Sequence, residues 1–243
     1  MPQQPDRMIH TMELNSVPIV VLVRVAPAML LVLLGITGCQ PTRPAAMIAA
    51  TRPTTNPIEK AKLTEAKDLF YRSVGGDRPA LPQAAQLFAE LGGGDSSDPQ
   101  IVAYTGAAKL LQAARSANFF EKSALGRQGM DLEDKAVAAA PNDLEVRFLQ
   151  GVTFYQLPPF LGRKQTAIAD LAYVAGVAES AANSGRLDPR AAAADLVYYG
   201  KTREESFDGP GALAAWRAAL RIDPDSQAGR DALKHLSEHH ASP

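Results

Sequence analysis

The chain is expected to be all-α, built from antiparallel helix pairs, and three observations predict this. Alanine is abundant while aromatic residues make up only 6% of the 243 residues; alanine is the strongest helix former, and its small side chain lets helix axes approach. From Ile58 onward, apolar residues recur at helical spacing in segments punctuated by Gly and Pro. Val and Thr form no alternating runs, so there is little strand signal.

The helices follow in order. Ile58 to Val74 carries Leu63, Ala66, Leu69 and Phe70 on one stripe, and Gly75-Gly76-Asp77 ends it. Leu81 to Leu91 aligns Ala84, Leu87, Phe88 and Leu91 before Gly92-Gly93-Gly94. Ser97-Asp98-Pro99 supplies a capping side chain and an early proline for a third helix reaching about Ala114. Asn118 to Ala140 reads as a helix with a break near Gly126 and Gly129. Pro141-Asn142-Asp143 caps a helix to Gln156, Pro158 to Gly162 is a loop, and Lys164 to Ala182 is helical again. Asp188-Pro189 opens a helix to Ser206, Asp208 to Gly211 turns the chain, and Ala212–Ile222 and Ser226–Glu238 complete about nine helices.

An internal similarity links these pairs. Gly200, Ala212, Trp216, Ala219 and Pro224 stand at successive offsets of twelve, four, three and five residues, and Ala-Leu-Arg-Ile-Asp-Pro-Asp closes the unit at 219–225. This resembles a tetratricopeptide repeat. Gly and Ala lie where two helices touch, the aromatic fills the core, and Pro ends the second helix. Looser copies carry Gly106, Ala136 and Pro141; Gly151, Phe154, Ala167 and Leu171; and Ala84, Phe88 and Leu91. The span from Gly106 to Pro141 exceeds that from Gly200 to Pro224, so residues near 118–129 are extra. The resemblance covers Ile58 to Glu238 and implies a short right-handed solenoid in a domain spanning 58–243, with Ser226–Glu238 capping its last apolar face. It also implies a concave face lined by the first helix of each pair. Its groove positions fall on Tyr104, Ala107, Phe148, Val152, Tyr155, Val197, Tyr198 and Lys201. Their aromatic rings would grip an extended peptide or a small apolar ligand, or pack against the next repeat.

The N-terminus supplies an address. An apolar stretch from Val17 to Ile36 is interrupted by Arg24, and its uninterrupted core, Val25 to Leu34, is too short to span a bilayer. Ile36-Thr37-Gly38-Cys39 closes it, and Cys39 is the only cysteine. This resembles a bacterial lipoprotein signal peptide, which implies cleavage after residue 38, acylation of Cys39 and a lipid anchor. Gln40, in place of Asp, points to the outer membrane in such lipoproteins, and the body would face the periplasm. The competing reading is a transmembrane helix over Val17–Ile36, where Arg24 would cost roughly 2.5 kcal/mol or more near the bilayer centre. Residues 39–57, with prolines at 41, 44, 53 and 57, read as an extended tether.

Candidates for chemistry are few. A net charge of −1 and the lack of a large basic face argue against a nucleic-acid partner. There is no Gly-x-Ser-x-Gly elbow and no Gly-x-x-x-x-Gly-Lys-Ser/Thr phosphate loop. His235 and His239 share a helix face, and two such histidines can ligate zinc, but no carboxylate–histidine motif accompanies them, so neither metal nor cofactor is expected. Asp131, Glu133 and Asp134, and Glu204 and Glu205, read as solvated helix faces. Phe160 and Leu161, set between Pro159 and Gly162, make a rigid docking knob or tuck back onto the core. The expectation is a non-enzymatic, lipid-anchored scaffold that binds a protein or peptide in envelope assembly or secretion. Two alternatives stand beside it: a ligand-binding accessory of a solute transporter, and a hydrolase whose site lacks a recognisable motif.

Overall fold

The computed structural model describes residues 56–240 of the chain. The expected leader, Cys39 and nearly all of the tether lie outside the described residues. Within them the protein is all-helical, with no strand. The helices are α1 (Pro57–Val74), α2 (Ala80–Glu90), α3 (Pro99–Arg115), α4 (Phe119–Ala139), α5 (Leu144–Tyr155), α6 (Lys164–Ala175), α7 (Ala178–Asn183), α8 (Pro189–Glu205), α9 (Gly209–Ile222) and α10 (Gln227–His240). Short 3-10 turns occupy Gly93–Asp95 and Pro159–Leu161.

Side-chain caps fix where helices begin. Asn56 Oδ1 accepts from the Ile58 N–H at 3.0 Å, Asp98 Oδ1 from Gln100 at 2.9 Å, Asp143 Oδ1 from Glu145 at 2.9 Å and Asp188 Oδ1 from Arg190 at 2.8 Å. Each satisfies an amide that the helix cannot, and in α1, α3 and α8 a proline follows at the position where no amide hydrogen is needed.

The helices pack chiefly as α1/α2, α3/α4, α5/α6 and α8/α9, with α10 closing on α8 and α9. Glycines set the closest approaches. A Cβ at Gly106 would lie 2.8 Å from the Gly129 carbonyl oxygen, so α3 and α4 cross backbone to backbone there. Gly151 faces Leu171, and a side chain at Gly200 would overlap the Trp216 indole. Trp216, fully buried, donates its indole N–H to the Val197 carbonyl at 3.2 Å and is covered by the His235 ring at a centroid distance of 4.6 Å.

Two expectations about helix continuity are corrected. Gly126 and Gly129 do not interrupt α4, because Gly129 is the crossing point with Gly106 and the helix passes through it. The helix expected over Lys164–Ala182 breaks at Gly176-Val177 into α6 and α7, and the redirected chain buries Ala178 and Ala181 in the main core.

The first helices of successive pairs lie side by side and parallel. α3 and α5 meet near their N-termini, where Gln100 Nε2 donates to Asp143 Oδ2 at 3.0 Å. α1 and α3 meet at their C-termini, where Arg115 Nη2 donates to the Ser73 carbonyl at 2.6 Å. α5 and α8 meet near theirs through Tyr155 and Glu205, and α8 and α10 through His239 and Glu204. Every turn inside a pair therefore falls on one edge of the body, and every turn between pairs on the other.

Candidate functional site

The face formed by the first helices divides into a closed half and an accessible half. The closed half joins the C-terminal part of α1 to the N-terminal parts of α3, α5 and α8. Arg190 at the start of α8 reaches α1, pairing with Asp68 at 2.8 Å and covering the Tyr71 ring at 4.5 Å. Below it the Tyr71 and Tyr104 hydroxyls meet at 3.1 Å, the Tyr104 hydroxyl donates to Glu145 Oε1 at 2.5 Å, and Lys67 pairs with Glu145 Oε2 at 2.8 Å. Burial, reinforced by the nearby Glu145 carboxylate, raises the pKa of Tyr71, and burial with the neighbouring hydroxyl and carboxylate raises that of Tyr104. Arg190 is held more strongly protonated by its bond to Asp188. The first and fourth helix pairs thus touch across the inner face.

Four of the groove positions follow the packing alternative expected for them. Tyr104 has no exposed surface and stacks on Phe88 with a centroid distance of 5.3 Å. Ala107, Phe148 and Val197 are also buried in the main core. Offsets alone treat every first helix as equally open, but these side chains lie within the packed core of the helix pairs.

The accessible half lies toward the C-termini of α5 and α8 and gathers the remaining groove positions. Val152, Tyr155, Tyr198 and Lys201 are all half-buried. The Tyr155 and Tyr198 rings meet edge to face with centroids 5.4 Å apart. Lys164 Nζ sits 3.4 Å from the Tyr155 centroid and Lys201 Nζ 4.7 Å from that of Tyr198. Cations over tyrosine faces in this way are held by the ring quadrupole. Tyr155 donates its hydroxyl to Glu205 Oε1 at 2.6 Å, and Lys164 pairs with Glu205 Oε2 at 3.0 Å. Burial opposes ionisation of Glu205, but the tyrosine hydroxyl and the ammonium outweigh it and lower its pKa. Burial and then the Glu205 contact raise that of Tyr155.

Lys164 and Glu205 are the members that the sequence reading did not place here. The available signal was the spacing of Tyr198, Lys201 and Glu205, which puts all three on one face of α8. Phe160 and Leu161 do not tuck into the core: Phe160 is 85% exposed and Leu161 38%. His235 is committed to Trp216, and His239 approaches Glu204 at 2.7 Å. Among the described residues no group of three metal-ligating side chains converges.

The acidic residues also separate. Glu133, expected on a solvated face, is 1% exposed, and Asp170 and Asp195 are equally enclosed. Glu133 Oε2 accepts from Thr153 at 2.5 Å, Asp170 pairs with Arg147, and both Asp195 oxygens are without a hydrogen-bond partner. Burial raises the pKa of all three. None of them lines the cleft of about 510 Å³ between α7 and α9, whose walls include Val177, Glu179, Tyr199, Arg203 and Ala215.

The chain matches no family model, no curated protein and no solved structure.

Proposed function

We propose that this chain is a lipid-anchored periplasmic scaffold, a short right-handed solenoid of tetratricopeptide-like pairs that binds an extended segment of an envelope protein. The observation that carries the reading is the Tyr155–Tyr198 pair with Lys164 and Lys201 over its rings. Tyrosine offers a large contact area with few rotatable bonds and a polar tip, which suits a binding surface more than a core. The lysines add a preference for acidic residues or a terminal carboxylate in the partner. The anchor reading is supported by Ile36-Thr37-Gly38-Cys39, and an outer-membrane address by Gln40. The solenoid reading is supported by the parallel row of first helices and the glycine-centred crossings within pairs.

Affinity capture of the acylated protein from solubilised envelopes tests it. A stable protein partner is expected, with recovery falling at least about tenfold in Tyr155→Ala/Tyr198→Ala, while helical circular dichroism is retained. Undiminished capture by the double variant would remove this surface from the proposal.

A further inference from the structure

The phenylalanines are distributed in an uneven way. Of eight in the chain, Phe70, Phe88, Phe148 and Phe154 are buried, and the other four are largely exposed: Phe119 74%, Phe120 82%, Phe160 85% and Phe207 99%. All four exposed rings lie at turns inside pairs. Phe119 and Phe120 open α4, Phe160 lies between α5 and α6, and Phe207 between α8 and α9. The first pair adds Val74, 57% exposed at the end of α1. Since those turns share one edge of the body, the exposed rings form a rim. The opposite edge carries no exposed phenylalanine; its exposed large apolar residues are Ile58, Val177 and Tyr173, whose hydroxyl is tied to Asn142.

The second pair projects along this rim. Its helices cross at Gly106 and Gly129, leaving 107–115 and 119–128 beyond the crossing. The third pair leaves 152–155 and 164–170, and the fourth 201–205 and 209–215. At 1.5 Å per helical residue, the tip with Phe119 and Phe120 reaches roughly 5 Å further. That tip is well defined: Asn118 Oδ1 accepts from the Phe120 and Glu121 amides, and the two rings meet edge to face at 5.8 Å.

Charge on the rim is weighted toward bases. Asp77 is tied to Arg72, Asp208 to Arg203 and Glu205 to Lys164. Arg78, Arg115 and Lys122 have no carboxylate partner among the described residues, against Glu121, which bonds Ser116, and Glu204, which bonds His239.

We infer that this rim docks on an anionic bilayer surface, with Phe119, Phe120, Phe160 and Phe207 entering the boundary between headgroups and acyl chains. Rings borne on three separate turns suit lipid, which encloses each group on its own; a protein interface needs a contiguous, closely fitted apolar centre. Guanidinium and ammonium groups without a carboxylate partner, Arg78 and Lys122 beside the rings and Arg115 bonded to the Ser73 carbonyl, match anionic headgroups. Phe207 adds an independent sign. Its φ of 60° is a conformation that bulky residues avoid, and it is maintained at a ring with no contact to protect.

The full-length acylated protein, reconstituted into vesicles containing phosphatidylglycerol, tests the inference. Trp216 is the only tryptophan and is fully buried, so the unmodified protein is the blank. Phe120→Trp and Phe160→Trp are expected to give blue-shifted emission that drops by about half or more when the acyl chains are brominated. Asp225→Trp, on the opposite edge, is expected to respond no more than the blank. Rim tryptophans as unresponsive as Asp225→Trp would overturn the inference, and so would rim tryptophans protected only after envelope proteins are added. An anchored chain whose rim stays in water leaves the scaffold reading intact, so the two ideas fail separately.

Discussion

Phe207 shows most sharply how a single residue departs from what local chemistry favours. It is the second residue past α8, after the capping Ser206; its amide donates to the Glu204 carbonyl at 2.9 Å, and the following Asp208 amide donates to that of Arg203 at 2.9 Å. That reciprocal closure normally has glycine at the left-handed position, because a Cβ there costs roughly 1–2 kcal/mol. Phe207→Gly is therefore expected to stabilise the fold by about 1 kcal/mol in urea denaturation, since a ring 99% exposed loses no packing. Unchanged or lower stability would mean that the ring has contacts in solution. Glycines were legible as residues but not by role. Gly129 reads as a helix breaker in sequence and acts as a contact surface in the fold, because only its partner Gly106, 23 positions away, reveals the crossing. Gly200 was expected where two helices touch, and the Trp216 indole does pack against it.

At the level of helices, α4, α5, α6 and α8 share a stretch of core containing three enclosed carboxyl groups. Asp195 is the most exposed to consequence, having neither a cation nor a donor within hydrogen-bonding reach. Burial raises its folded-state pKa above the unfolded value of about 3.9. Below that value both states hold the proton and the group has no effect. As pH rises further, the unfolded chain releases the proton while the folded protein keeps it, so stability falls until the folded pKa is passed. Asp195→Asn removes this loss. Its stability relative to the unmodified protein is expected to improve steadily between about pH 4 and pH 7, as followed by urea midpoints. A pH-independent difference would show Asp195 ionised in the fold. The helices themselves were legible from apolar spacing and Asx-Pro starts, with ends displaced by a residue or so. Their buried acids were not: Asp131, Glu133 and Asp134 are consecutive, and only the helical turn decides that Glu133 points inward while Asp131 is exposed.

The whole body is built by packing between neighbouring pairs, with one side-chain contact joining α1 directly to α8. Half of the expected groove positions are buried and half are accessible, and no repeat offset disclosed either that division or the contact between residues 68 and 190. An exposed ion pair contributes about 0–1 kcal/mol and a cation over an aromatic face about 0.5–1. Arg190→Ala is accordingly expected to leave global stability within about 2 kcal/mol while selectively speeding hydrogen exchange of the α1 amides at 66–74. Uniform acceleration across all helices would instead make Arg190 part of the general core. A linear array can gain or lose a module at either end, since each unit depends only on its neighbours. Here the first and fourth pairs are also joined directly through Arg190, so the array holds one contact that is not between neighbours. A change in the number of pairs between α1 and α8 would therefore alter a bond as well as a length.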